Sequence, residues 1–171
     1  MQEAIVSALM SILAERWVLS LALADARAGL PYSTPLFYAL APPHTIGEHA
    51  CPLLISASAM DSHHGRLAGL EPTPASAGVY LETEDVPQLR GAQLRGDWVH
   101  ESCWTEAGAA ALRRIYLERH PGAEPVLISG HHALYALRVT WAKLTDNRVA
   151  LGHHSIARFD AECSEVKPSP A

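Results

Sequence analysis

Leu89-Arg90-Gly91-Ala92-Gln93-Leu94-Arg95-Gly96-Asp97-Trp98-Val99-His100 is the stretch on which the fold turns. It reads as one long strand in which Gly91 and Gly96 mark bends or places where another backbone comes close, as happens when a sheet curls into a barrel. Gln93 offers an amide that can donate and accept, and Arg90 and Arg95 offer fixed charge. Their odd spacing puts the two arginines on opposite faces of a strand, so one anion is not expected to engage both. A barrel corner with solvated arginines is the plainer account of the same residues.

Working outward, His131 to Trp141 alternates, with Ala133, Tyr135, Leu137, Val139 and Trp141 on one side and Leu134, Ala136, Arg138 and Thr140 on the other. That is a second half-buried strand, and Asp146-Asn147 turns it into a further one running through Leu151. Upstream, Trp17 to Asp25 alternates around Leu19, Leu21 and Leu23, and the turn residues Ala28-Gly29-Leu30-Pro31 fold it onto a strand over Tyr32–Leu40. Pro35 inside that strand calls for an edge position or a bulge. Pro52–Ser58 and Ala75–Glu82 are also strands.

Helical spacing of Ile5, Leu9, Ile12 and Leu13 predicts a first helix over Glu3–Arg16. Met60 to Leu67 opens a second helix capped by Asp61 or Ser62. Trp104–Arg119 is a third, with Ala110, Leu112, Ile115 and Tyr116 on its apolar side and His120-Pro121-Gly122 stopping it. About seven antiparallel strands with flanking helices make a mainly β, α+β domain: a small barrel or curled sheet. Residues 1–160 form that single domain, and residues 161–171, with Pro168 and Pro170, read as a frayed tail.

The chain has 171 residues, 49% hydrophobic and 18% charged, and a net charge of −5. This balance fits one packed domain and excludes a dominant basic groove for nucleic acid. Cys51, Cys103 and Cys163 form no C-x-x-C pair, which points to a reducing cytoplasm and away from a disulfide framework. The apolar run at Leu19–Ala24 imitates a secretory segment but lacks a preceding cluster of positive charge. No apolar run reaches the roughly 18 residues a membrane-spanning helix needs, so no membrane partner is expected.

Ten histidines are the unusual item, six of them in the doublets His63-His64, His131-His132 and His153-His154. Adjacent residues on a strand face opposite ways, and no H-x-H or H-E-x-x-H spacing is present, so no metal centre is expected. Nor does any G-x-S-x-G elbow support a serine nucleophile. Ser58, Ser62, His63, His64 and Arg66 surround a strand-to-helix junction where backbone amides and positive charge suit a phosphate. An ordinary capped helix explains them as simply.

Ser33-Thr34-Pro35-Leu36-Phe37-Tyr38, Ser62-His63-His64, Arg90-Gly91-Ala92-Gln93-Leu94-Arg95-Gly96 and Lys143-Leu144-Thr145-Asp146-Asn147, in that order, resemble the pyridoxamine 5′-phosphate oxidase-like FMN-binding split barrels. The likeness is greatest to the YhbP-type bacterial branch and covers about Ala4 to Asp160. It implies a six- or seven-stranded split β-barrel that forms a homodimer with FMN in the interface clefts. It also implies an oxidoreductase acting on a small-molecule substrate or electron donor. By this resemblance the phosphate lies at Ser58, Ser62, His63 and His64, and the strand Ser33, Thr34, Pro35, Leu36 passes the flavin ring. Gln93 faces the cofactor, and Trp141, Asn147 and His153 come from the strands near the dimer cleft.

The branch carries Thr-Arg-His and Gly-Lys-Lys where this chain has Ser62-His63-His64 and Gly152-His153-His154, so titratable groups replace fixed cations and a pH-dependent cofactor affinity is expected. Pyridoxamine phosphate oxidase activity itself is not, because the arginine-rich contacts to that substrate's phosphate are missing. Three alternatives stand beside FMN: the deazaflavin F420 in the same cleft, a haem-binding or haem-degrading barrel with a histidine ligand, and a cofactor-free dimeric interaction module.

Overall fold

Alternating apolar residues do build the sheet. The computed structural model describes residues 2–47 and 49–160; the tail over 161–171 lies outside them. The chain runs α1 (Gln2–Glu15), β1 (Val18–Asp25), β2 (Leu30–Phe37), β3 (Ala39–Ala41), β4 (Leu53–Ala59), α2 (His63–Ala68), β5 (Thr73–Tyr80) and β6 (Arg90–His100), then α3 (Glu106–Arg119), α4 (Glu124–Ile128), β7 (His132–Asp146) and β8 (His154–Arg158). The eight strands form one antiparallel sheet in the order β2-β1-β5-β6-β7-β4-β3, with β8 added to β7. β2 comes round to approach β4, so the sheet curls into a half-barrel.

The first core fills the inner face. Leu19, Leu21 and Leu23 of β1, Ala92 and Leu94 of β6, and Tyr135, Leu137 and Val139 of β7 point there, and Leu9 and Leu13 of α1 close its mouth. Arg90 shares the parity of Ala92 and Leu94 and pairs with Glu15 of α1 at 3.4 Å, while Arg95 lies on the other face, as the odd spacing required.

A second core lies on the opposite side of β4 and the neighbouring ends of β6 and β7. Val99, Leu134 and Ala136 pack there beneath Leu112, Ile115 and Tyr116 of α3. Thr105 caps α3 by accepting from the Gly108 amide at 3.1 Å. Ala110, expected on the apolar side, is exposed. α3 lies over the β3, β4 and β7 part of the outer sheet surface.

His49 is buried against this second core, 5.6 Å from the Trp104 ring, with Nδ1 3.5 Å from Cys51 Sγ. Burial, and secondarily the Arg138 charge, push it down to about 4 from the ordinary 6.5. It folds neutral and takes up a proton on unfolding. Its share of stability is therefore intact above pH 6.5, falls as the pH drops, and levels off below about pH 4. That span corresponds to about 3 kcal/mol. Urea melts from pH 7 to 4 are expected to show this loss in the wild type and a flatter profile in His49→Leu; parallel profiles would contradict it.

Three element expectations change. Tyr32–Leu40 is two strands, β2 and β3, because Tyr38 turns inward and donates its hydroxyl to the Leu13 carbonyl at 2.5 Å. The last strand does not run through Leu151: residues 147–153 are a turn, locked by Asn147, whose Nδ2 donates to Val86 O and whose Oδ1 accepts from the Gly152 amide. The strand that follows begins at His154. Finally, Trp141 does not share a side with Val139. Arg95 opposes Trp141 but Gly96 opposes Val139, so Thr140 is an extra residue in a β-bulge and parity reverses across it.

Candidate functional site

The uncovered part of the outer sheet surface is built row by row from the register. One row runs Ser33 (β2), Ala22 (β1), Ser76 (β5), Arg95 (β6), Trp141 (β7), Arg158 (β8). The next, two residues along each strand, runs Pro35, Ser20, Gly78, Gln93, Lys143, Ile156. β1 and β5 thus present small residues, and β6, β7 and β8 larger ones. A Cβ added at Gly78 would meet nothing within 4 Å, so this position is open floor between Ser20 and Gln93.

Two hollows lie over these rows. The larger, about 750 Å³, is lined by Ala22, Ala24, Pro31, Ser76, Arg95 and Asp97 among others, and Asp25 stands at its end. The smaller, about 460 Å³, is lined by Gly78, Gln93, Gly91 and Thr145 among others. Volumes of a few hundred to a thousand Å³ are those of cofactor-sized sites. Asp97 pairs with Arg138 at 2.9 Å. Asp25 is also engaged: Oδ1 accepts from the Arg27 and Ala28 amides, and Oδ2 lies 2.9 Å from His63 Nε2. The Ala28 amide, with His63 and the Arg27 amide, holds the Asp25 carboxyl below its ordinary range.

The residues singled out from sequence divide between two places. Ser33, Pro35, Gln93 and Trp141 stand together on the open outer face. Thr34 and Leu36 alternate with them and face inward, opposite Leu21 and Leu19. Ser58, Ser62, His63 and His64 belong to the α2 end, whose Ala68 packs into the inner core. Ser58 Oγ donates to Ala59 O at 3.3 Å; Ser62 Oγ donates to Ala59 O at 2.6 Å and accepts from the Gly65 amide. His63 and His64 flank the Tyr32 ring at 4.6 and 6.4 Å. Burial, then the neighbouring His63, holds His64 below its ordinary value. Asn147 and His153 lie in the turn before β8, Asn147 as its lock and His153 through its amide to Ala150 O.

The fit to an anionic cofactor therefore differs at the two places. At α2 the hydroxyls cap the helix, His63 faces a carboxylate, and a Cβ at Gly65 would lie 2.4 Å from Ala59 O, so the helix sits directly on the end of β4. These groups hold the helix in place and are poorly disposed to a phosphate. The outer face fits better: a floor of small residues, an amide at Gln93, and the Arg95 guanidinium 4.7 Å from the Trp141 ring centroid. Sequence reasoning set Arg95 aside because Arg90 did not share its face; the register, not the spacing, supplies its companions. Among the described residues, no three His, Cys, Asp or Glu side chains gather into a metal-sized group, and no helix is long and apolar enough to cross a membrane. The His131-His132 doublet contributes a backbone contact, the His131 carbonyl accepting from the Met60 amide.

The sequence matches no protein-family model and no curated protein. The fold, by contrast, is shared with solved structures. A haem-binding protein from Mycobacterium smegmatis superposes with a TM-score of 0.72 at 18% identity, over 90% of this chain and 57% of that one. An FAD-binding protein from Mesorhizobium loti gives 0.59 at 16% identity, over 80% and 89%. A Clostridium acetobutylicum protein of the pyridoxinephosphate oxidase family gives 0.58 at 9%, over 92% and 96%. The chain thus shares its curled antiparallel half-barrel fold with these structures and spans a little over half the length of the haem-binding protein.

Proposed function

We propose that the protein is a flavin-nucleotide-binding split barrel, with the ring of the cofactor laid on the open outer face. The observation that carries this reading is Gly78, whose missing side chain leaves floor between Ser20 and the Gln93 amide. A bound flavin supplies hydride and electron transfer; the chain supplies a floor of small residues, an amide at the ring edge and exclusion of water. The solved relatives that bind FAD or belong to the pyridoxinephosphate oxidase family support it through the shared fold.

The same face carries Val18, Phe37, Tyr80 and Ile156, which are 42%, 61%, 61% and 44% exposed. A second copy laid against it covers these side chains in a two-fold contact and turns the open face into closed clefts. The reading is therefore of a homodimer. Haem is the second reading, favoured by the 0.72 likeness to a haem-binding protein and by His154, which stands opposite Thr145 on the outer face.

Purified protein titrated with FMN is expected to quench flavin fluorescence and to elute as a dimer. Gly78→Leu is expected to abolish quenching with an unchanged circular dichroism spectrum, because the new side chain fills the floor and its Cβ enters open space. No quenching by the wild type, or a haemin Soret shift in its place, would overturn the flavin reading.

A further inference from the structure

Three cations surround one indole on the outer face. Trp141 of β7 lies between Arg95 on β6 and Arg158 on β8, and Lys143 is its next neighbour on the same side of β7, opposite Gln93. The Arg95 guanidinium carbon lies 4.7 Å from the Trp141 ring centroid, a cation–π contact. Among the described residues, no carboxylate pairs with Arg95, Lys143 or Arg158. The two acids lining the larger hollow are engaged elsewhere, Asp97 with Arg138 and Asp25 with His63 and two amides. In a chain of net charge −5, this leaves a local positive site beside the floor at Gly78.

We infer that Arg95, Lys143 and Arg158 bind the phosphate of the ligand, in place of the α2 junction. The inference rests on the flavin-nucleotide reading and gives it a direction. Gly78 and Gln93 hold the ring; Arg95 and Arg158, in the row two residues or about 7 Å farther along the strands, hold the anion, and Lys143, beside Gln93, adds its charge from the ring side. A ribityl chain spans such a distance. Guanidinium groups recognise phosphate oxygens in pairs and keep their charge at every physiological pH, so histidine titration is not what sets the affinity.

The test compares FMN with riboflavin, which lacks the phosphate, and with inorganic pyrophosphate as a probe without a ring. Wild type, Arg95→Gln, Arg158→Gln and His63→Gln are titrated by flavin quenching and by calorimetry, with thermal melts checking the fold. The expected result is a loss of roughly tenfold or more in FMN affinity in each arginine variant, riboflavin unchanged, and FMN unchanged in His63→Gln. Arg95→Lys is expected to recover part of the loss, because the charge returns without the fork. Equal FMN binding in wild type and both arginine variants, or a loss confined to His63→Gln, would overturn the inference while leaving the flavin reading standing. If neither flavin binds the wild type, that reading fails alone, and pyrophosphate decides: binding lost in the arginine variants supports the site, whereas binding unchanged or absent in the wild type removes it.

Discussion

Gly96→Ala is expected to cost about 3 kcal/mol or more of folding stability, a large part of the 5–15 kcal/mol typical of a domain. A Cβ at position 96 would lie 1.7 Å from the Arg138 carbonyl oxygen, 2.7 Å from its carbon and 3.2 Å from Val139 Cα. All three atoms are backbone of the neighbouring strand and cannot swing aside, so the β6–β7 ladder must open at the bulge. The same ladder holds Arg95 against Trp141, so binding at the proposed site is expected to fall with stability. Urea unfolding followed by circular dichroism measures the cost. Gly78→Ala is the control, with open space above it, and is expected to be neutral or slightly stabilising. Similar midpoints for the two variants would refute the account of the bulge.

Trp98→Ala carries the second large effect, about 3–5 kcal/mol. Trp98 is 1% exposed and lies parallel to Tyr135 at 5.5 Å between ring centroids. Truncation leaves a cavity in the first core and ends the stack, because the strands on either side cannot close over the space. Trp141→Ala is expected to cost no more than about 1 kcal/mol, since that ring stands on the open face and loses chiefly the Arg95 contact. Near-UV circular dichroism and urea midpoints of the pair check the assignment of faces. Comparable losses from the two tryptophans would mean that the Trp141 ring is packed as tightly as Trp98, within the protomer or beneath a second copy.

Much of the architecture was legible because burial on one side of a sheet imposes a period of two, and burial of one helix stripe a period near 3.6. Leu19, Leu21 and Leu23 gave β1 and its inner face; Ala92 and Leu94 gave β6; Leu9 and Leu13 gave the helix that closes the barrel. Ser62 was one of the two expected caps of α2 and is the one used. The site was legible only in pieces. Ser33, Gln93 and Trp141 belong to one surface, but nothing in their spacing distinguishes them from Ser62 and His63, which fold onto the other side. The place of His63 is tertiary: it is held by Asp25, thirty-eight positions earlier in the chain, a pairing no local pattern encodes.

Alternation along each strand, then, is a property of the sequence alone, and it determined that this chain forms a curled antiparallel sheet around one inner core. Where alternation breaks is decided in three dimensions. Gly96 permits a close approach, but only the neighbouring β7 backbone turns that permission into a bulge at Thr140. It is this single extra residue that turns Trp141 outward. Parity is local, whereas register is a contact between strands, here across 46 positions from Arg95 to Trp141 and 17 from Trp141 to Arg158. For that reason the tertiary structure, and not the sequence, assembled Arg95, Trp141 and Arg158 into one row.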